Sequence, residues 1–210
     1  MTDLLELLRS NPYPGRGIVV GKDCVYYFIM GRSENSRNRI FVPTEDGIRT
    51  EAFDPAKMAD PSLIIYHPVR RTAEGLIVTN GDQTDTIRDA GDFRAALMTR
   101  EYEPDEPNFT PRISAMLYDD GRFELSILKH RDGRCLREFF CYEGCEEGKG
   151  YFLSTYDGDG SPLPTFTGEP KEVTLPSAAE VWAALNADNK VSLYANVGGA
   201  VTIYNKHKGD

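Results

Sequence analysis

The feature that most restricts the fold is a succession of short apolar segments of β type, cut apart by tight-turn residues. Segments 18–20 and 25–30 flank Gly21-Lys22-Asp23, while 113–118, 123–129 and 135–142 are divided by Asp119-Asp120-Gly121 and Asp132-Gly133. Segments 41–43, 47–53, 63–66, 75–79, 151–156, 191–195 and 201–204 continue the series. Glycine supplies the positive φ such turns need, and Asp or Asn bonds back onto its own backbone, so segments joined this closely pair as antiparallel hairpins. Helical signals appear over 2–10, with Thr2 or Asp3 as the cap and Asn11-Pro12 as the stop, and over 91–101, with Phe93, Ala96, Leu97 and Met98 on the apolar side. A capping box, Ser177 with Glu180, opens another helix running to Leu185. Many hairpins around few helices imply an α+β domain of two stacked, mainly antiparallel sheets flanked by helices. One domain is expected over 1–210, with 1–12 as a short helical extension.

With 210 residues and 40% apolar content, the chain has ample material for a core. Its formal net charge of −9 excludes a general nucleic-acid or anionic-membrane binder, because a phosphate surface demands a basic footprint. No apolar run is long enough to span a bilayer, and the opening MTDLLELLRSNP is acidic at Asp3 and Glu6 where a secretion signal would be basic, so the cytoplasm is expected. Cys24, Cys135, Cys141 and Cys145 are too sparse for a disulfide framework. Together with His130 the last three lack any CxxC spacing, and Cys135 and Cys141 share strand parity with Phe139, which favours sheet positions over a zinc site. Asp157 and Asp159 lack the further oxygen ligands of a calcium loop. Thr2 could serve as a terminal nucleophile if Met1 were removed, but the helical pattern that follows favours capping.

Chemistry concentrates in a few polar stretches. YEPDEPNFTPRISA (102–115) sets Glu103, Asp105 and Glu106 beside Arg112, and prolines at 104, 107 and 111 push the residues before them into extended backbone. On such a stiff segment Glu103 and Asp105 share a side and Glu106 faces away, and carboxylates held close together can raise one pKa toward neutrality; an acidic, solvated loop leading into the strand 112–118 is the plain alternative. GRSENSRNRIF brings Arg32, Arg37 and Arg39 together with Ser33, Asn35, Ser36 and Asn38, the residue types that grip an anion through forked guanidinium groups and added donors; a solvated polar loop is the plain alternative. Tyr66-His67-Pro68 ends an apolar run, and NGDQTDT (80–86) reads as a turn in which Thr84 or Asp85 caps the next segment.

YPGRGIVVG, GRSENSRNRIF, IVTNGDQTDTI and YEPDEPNFTPRISA, with a later YFLSTY, resemble in order the archaeal-type IMP cyclohydrolases and their bacterial relatives. The resemblance runs from Tyr13 to about Tyr156. It implies a four-layer αββα fold similar to that of the N-terminal-nucleophile hydrolases, without their terminal nucleophile. It also implies closure of 5-formamidoimidazole-4-carboxamide ribonucleotide to IMP with loss of water. Carried over by position, Arg39, Tyr66 and Glu103 are the catalytic candidates, with Asn80, Asp82, Asp85 and Arg112 in matching motif positions. Glu103 is then the expected base; Tyr66 or Arg39 meets the alkoxide or the leaving hydroxyl. Arg32, with Arg16 or Arg112, meets the 5′-phosphate, and Ser33 and Asn38 add donors. The family's loop reads closer to SSRSFPNR, so only Asn38-Arg39 keeps register there, and the chain beyond Tyr156 offers no match. No metal or organic cofactor is implied. The partner is a small purine nucleotide, and self-association is left open. The rival readings are another amide-directed cyclohydrolase or amidohydrolase on the same scaffold, and a purine-nucleotide-binding protein without catalysis.

Overall fold

Hairpin pairing dominates the computed structural model, which describes residues 1–210. The strands are β1 (Arg16–Gly21), β2 (Cys24–Met30), β3 (Arg39–Pro43), β4 (Gly47–Ala52), β5 (Val69–Arg71), β6 (Gly75–Thr79) and β7 (Arg112–Tyr118). They continue as β8 (Phe123–Arg131), β9 (Arg134–Tyr142), β10 (Lys149–Ser154), β11 (Lys171–Thr174), β12 (Lys190–Val197) and β13 (Ala200–Asn205). Helices are α1 (Leu4–Ser10), α2 (Glu34–Arg37), α3 (Gln83–Ala90), α4 (Phe93–Met98) and α5 (Ala178–Ala184). Six strands form one sheet in the order β11, β10, β1, β2, β12, β13, and seven form the other in the order β3 to β9. Every ladder between these strands is antiparallel.

Strand parity explains where each side chain goes. In β2, Val25, Tyr27 and Ile29 join the cluster between the sheets, meeting Phe41, Val78, Ile113, Leu125 and Ile127 of the opposite sheet. The alternate residues Tyr26, Phe28 and Met30 face outward onto Leu4 and Leu8 of α1 and Val181 and Trp182 of α5. Both faces of β2 are thus covered, which is why CVYYFIM is apolar throughout. On the seven-stranded sheet, Ile77, Met116 and Leu128 face outward to Ile87 of α3 and Phe93, Ala96 and Leu97 of α4. Asn205 ties the sheets at one edge: its amide accepts from Phe41 N at 2.7 Å and from Ser192 Oγ at 2.6 Å, and donates to Phe41 O at 3.1 Å.

Several expectations change. Residues 63–66 are a turn, not a strand, because Thr50 captures them: Tyr66 N donates to Thr50 Oγ1 at 2.8 Å, and that hydroxyl donates to Ile64 O at 2.8 Å. The NGDQTDT turn leads directly into α3, whose cap position is Asp82; Thr84 and Asp85 lie inside the first turn. The helical signal over 91–101 contracts to α4, since Gly91, at φ +64°, terminates α3 and Asp92 caps the new helix. Met98 is 59% exposed and leaves the apolar side of α4. In the arginine loop, Ser33 and Ser36 cap one another and fold α2, a helix with no apolar periodicity to announce it. Asp3 caps α1, and Thr2 pairs its backbone with Val173 of β11. Cys135 and Phe139 pack against the same cluster under α3 and α4, as parity suggests, whereas Cys141 is exposed near the end of β9. No helix is long and apolar enough to cross a membrane.

Candidate active site

Three arginines each occupy the first position of a strand: Arg16 on β1, Arg39 on β3 and Arg112 on β7. All three are buried, as is Glu103 at 2% exposure. The proline-bracketed segment is pinned by Glu103 N donating to Thr110 O at 2.9 Å, which turns the Glu103 carboxylate inward to within 3.9 Å of Arg16 Nη2. Glu103 stands where two spaces meet. One is an open cleft of about 330 Å³, at the lower end of the usual range for small-molecule sites, whose walls include Tyr13, Arg16, Arg32, Ser33, Asp105 and Tyr156. The other is a narrow recess between Tyr66, Gly81, Asp82, Glu103 and Arg112.

Burial raises the Glu103 carboxyl from its ordinary 4.5 to about 7, and Asp105 adds to the rise while Arg16, Arg112 and Arg39 oppose it. The expected elevation is therefore present with a different principal cause: desolvation outweighs the neighbouring carboxylate. Asp105 is itself engaged, accepting from Thr110 N at 2.6 Å and from the Thr110 hydroxyl, which in turn bonds the Tyr156 hydroxyl at 2.5 Å. Glu106 is exposed.

Arg39 is completely buried. Its Nε donates to Ser36 O at 2.8 Å, its Nη2 lies 3.4 Å from Met30 O, and its Nη1 has no partner. Burial, and then Arg16, lower its pKa, while the Tyr66 hydroxyl opposes this. Arg16 Nε and Arg112 Nε are likewise buried without partners. Burial acts to lower the pKa of Arg16, yet Glu103 and the surrounding tyrosines leave it raised overall. Buried, unpaired guanidinium donors around one half-ionised carboxyl make a place that can receive negative charge. Tyr66 shares a 2.8 Å hydrogen bond with the hydroxyl of Tyr27, which lies fully buried.

The NGDQ turn positions Arg112. Asn80 Oδ1 accepts from Ile113 N at 2.8 Å and from Gln83 Nε2 at 3.0 Å, and its Nδ2 donates to Pro111 O at 2.9 Å. Arg112 Nη1 then donates to Asp82 Oδ1 and Gln83 Oε1, each at 2.7 Å. A Cβ on Gly81 would stand 2.5 Å from Arg112 Nη1, so a larger residue would push the guanidinium from this place.

Of the residues singled out from sequence, Arg16, Arg32, Ser33, Tyr66, Asp82, Glu103 and Arg112 line the two spaces, whereas Arg39 lines neither and reaches Glu103 only through its charge. Asn80 and Asn38 act on backbone instead: Asn38 exchanges hydrogen bonds with the backbone of Asp54, both at 2.8 Å. Asp85 lines neither space and is paired with Arg70 at 2.7 Å and Arg88 at 3.3 Å. Arg37 turns away to Gly31 O and Asn189 Oδ1. The structure adds Tyr13, Tyr27, Leu63, Thr110 and Tyr156. Tyr13 and Tyr156 sit in stretches already notable, YPGRG and YFLSTY, while nothing in the β2 pattern distinguishes Tyr27 from its apolar neighbours.

A family model described as IMP cyclohydrolase-like protein matches residues 13–200. The chain is 33% identical over 168 residues to the IMP cyclohydrolase of Methanopyrus kandleri, covering 73% of this chain and 79% of that protein. It is 29% identical over 160 residues to the IMP cyclohydrolase of Methanococcus aeolicus, covering 69% and 74% respectively. The IMP cyclohydrolase of Methanococcus maripaludis strain C7 is 30% identical over 161 residues, covering 69% and 75%.

Proposed function

The chain belongs to the IMP cyclohydrolase-like protein family, and from that premise we propose that it closes 5-formamidoimidazole-4-carboxamide ribonucleotide to IMP with release of water. The observation that carries this reading is the buried Glu103 carboxyl, lifted to about 7 and ringed by Arg16, Arg39 and Arg112.

The reaction needs little beyond proton transfer and charge stabilisation. The carboxamide nitrogen attacks the formyl carbon, a carbon–nitrogen bond forms, and the formyl oxygen becomes an alkoxide. A carboxamide is a weak nucleophile, so a base must take its proton as the bond forms. Glu103, about half ionised at neutral pH, is matched to that task and afterwards holds the proton needed for departure of the hydroxyl. Loss of the formamido N–H and of the former formyl oxygen as water completes the ring. The unpaired Arg39 Nη1 and the Tyr66 hydroxyl are assigned to the alkoxide, where fixed, buried donors act strongly. Arg32 and Arg16, in the open cleft, are assigned to the 5′-phosphate, with Ser33 beside them. Asp82 and Asn80 hold Arg112 in place. Asn38 fixes the turn before β3 and so Arg39, while Asp85 is assigned to the ion pairs that steady α3.

The same reading takes the order helix, sheet, sheet, helix as the four-layer αββα arrangement of N-terminal-nucleophile hydrolases, and it expects a cytoplasmic enzyme. Purified protein mixed with the formylated ribotide should produce the absorbance change of IMP formation. Binding of the ribotide without turnover, or faster turnover of another amide-bearing intermediate, would replace this assignment.

A further inference from the structure

The segment between β10 and β11 contributes Leu163 to the outer wall of the cleft. Its base is pinned: Asp157 Oδ2 accepts from Thr167 N at 2.9 Å and from Thr167 Oγ1 at 2.8 Å, and Leu163, a lining residue, donates from its backbone to Asn108 Oδ1 at 3.1 Å. Its tip reaches across to Arg32. Arg32 Nη1 donates to Asp159 Oδ1 at 2.5 Å and to Gly160 O at 2.8 Å, while the guanidinium lies 5.1 Å from the centre of the Tyr13 ring. Arg16 already has Glu103 as its partner within the cleft, so Arg32 is the arginine there whose charge is met from outside it.

We infer that Asp159 is a competing counter-ion that tunes affinity for the phosphate: it holds Arg32 at the mouth of the cleft until a phosphate dianion displaces it. The inference rests on the reading of the cleft as a purine-nucleotide site and identifies what a nucleotide must compete with there. The ion pair is partly exposed, with side-chain accessibilities of 36% for Arg32 and 46% for Asp159, so water and salt weaken it. A phosphate brings more charge and several acceptor oxygens in the geometry a guanidinium fork prefers, and so replaces the carboxylate. A neutral nucleoside offers no such exchange and leaves the wall in place. Asp159 thereby lowers the affinity for phosphorylated ligands below what Arg32 alone would give and leaves unphosphorylated ones unaffected.

The test uses the full chain with Asp159→Asn, Arg32→Ala and the double variant. Measurements are kcat and KM for the ribotide, calorimetric affinity for IMP and inosine, and inhibition by inorganic phosphate. Asp159→Asn should lower KM, the Kd for IMP and the phosphate inhibition constant by about two- to fivefold, the range expected from removing one exposed competing pair. kcat and inosine affinity should stay put, and the gain should vanish when Arg32 is absent. Unchanged or weakened IMP and phosphate binding in Asp159→Asn would overturn the inference alone. Failure of the wild-type protein to bind IMP would overturn the nucleotide reading together with it.

Discussion

Replacing Glu103 by Gln keeps the shape of the side chain and removes its proton chemistry. Burial lifts the carboxyl from 4.5 to about 7. At about 1.4 kcal/mol per pH unit, ionising this group in the folded protein costs roughly 3 kcal/mol more than in the unfolded chain. The sign follows from the raised pKa. The folded state holds the proton more tightly, so the stabilising contribution is complete below pH 4.5 and is lost as pH rises through about 7. Wild type should therefore weaken relative to Glu103→Gln between about pH 5 and 8 by most of that roughly 3 kcal/mol, or about 6–12 °C in Tm for a domain of this size. Taking the difference between the two proteins at each pH cancels the other titrating groups and any fixed packing cost of the amide. The same variant should lose about 10²- to 10⁴-fold in kcat while KM and IMP affinity change little. Thermal melts that separate the proteins by the same interval at pH 5 and pH 8 would refute the buried-carboxyl argument. Loss of IMP binding in parallel with turnover would show that Glu103 holds the site together instead of moving a proton.

For wild type, kcat/KM should climb about tenfold per pH unit toward neutrality and level off above about 7, as a base ionising there requires; a profile flat down to pH 5.5 would assign proton transfer elsewhere. Gly81→Ala should place a methyl 2.5 Å from Arg112 Nη1 and 2.6 Å from Gln83 Oε1, lowering kcat/KM by about 10- to 100-fold with the circular dichroism spectrum retained. Tyr27→Phe strips Tyr66 of its hydroxyl partner and should lower kcat about tenfold with little change in KM, measured by the same absorbance assay. Asn205→Ala leaves the backbone of Phe41 and the Ser192 hydroxyl without their buried partner, so urea unfolding should show a loss of about 2–4 kcal/mol with no direct effect on substrate binding.

Local chemistry made much of the architecture legible. Asp and Gly at Asp119-Asp120-Gly121 and Asp132-Gly133 admit little but tight reversals, and the apolar segments beside them pair as β7, β8 and β9. The prolines around Glu103 likewise announce a stiffened carboxylate, and its motif with Arg112 is legible in the residues alone. What sequence could not fix was competition between distant groups for the same backbone. Residues 63–66 have strand composition, but Thr50 bonds them into a turn and thereby brings Tyr66 to the recess. NGDQTDT displayed several polar side chains of equal promise; packing sent Asp82 to Arg112, Asn80 to the backbone and Asp85 to Arg70. Tyr27 and Asp159 acquire meaning only from partners 39 and 127 residues away. Sequence by itself determined the antiparallel sheets and the rigid acid, because turn geometry and proline sterics act between neighbours. The tertiary structure alone decided which arginines surround that acid and how far its pKa rises, because desolvation and charge pairing depend on what the rest of the chain brings alongside.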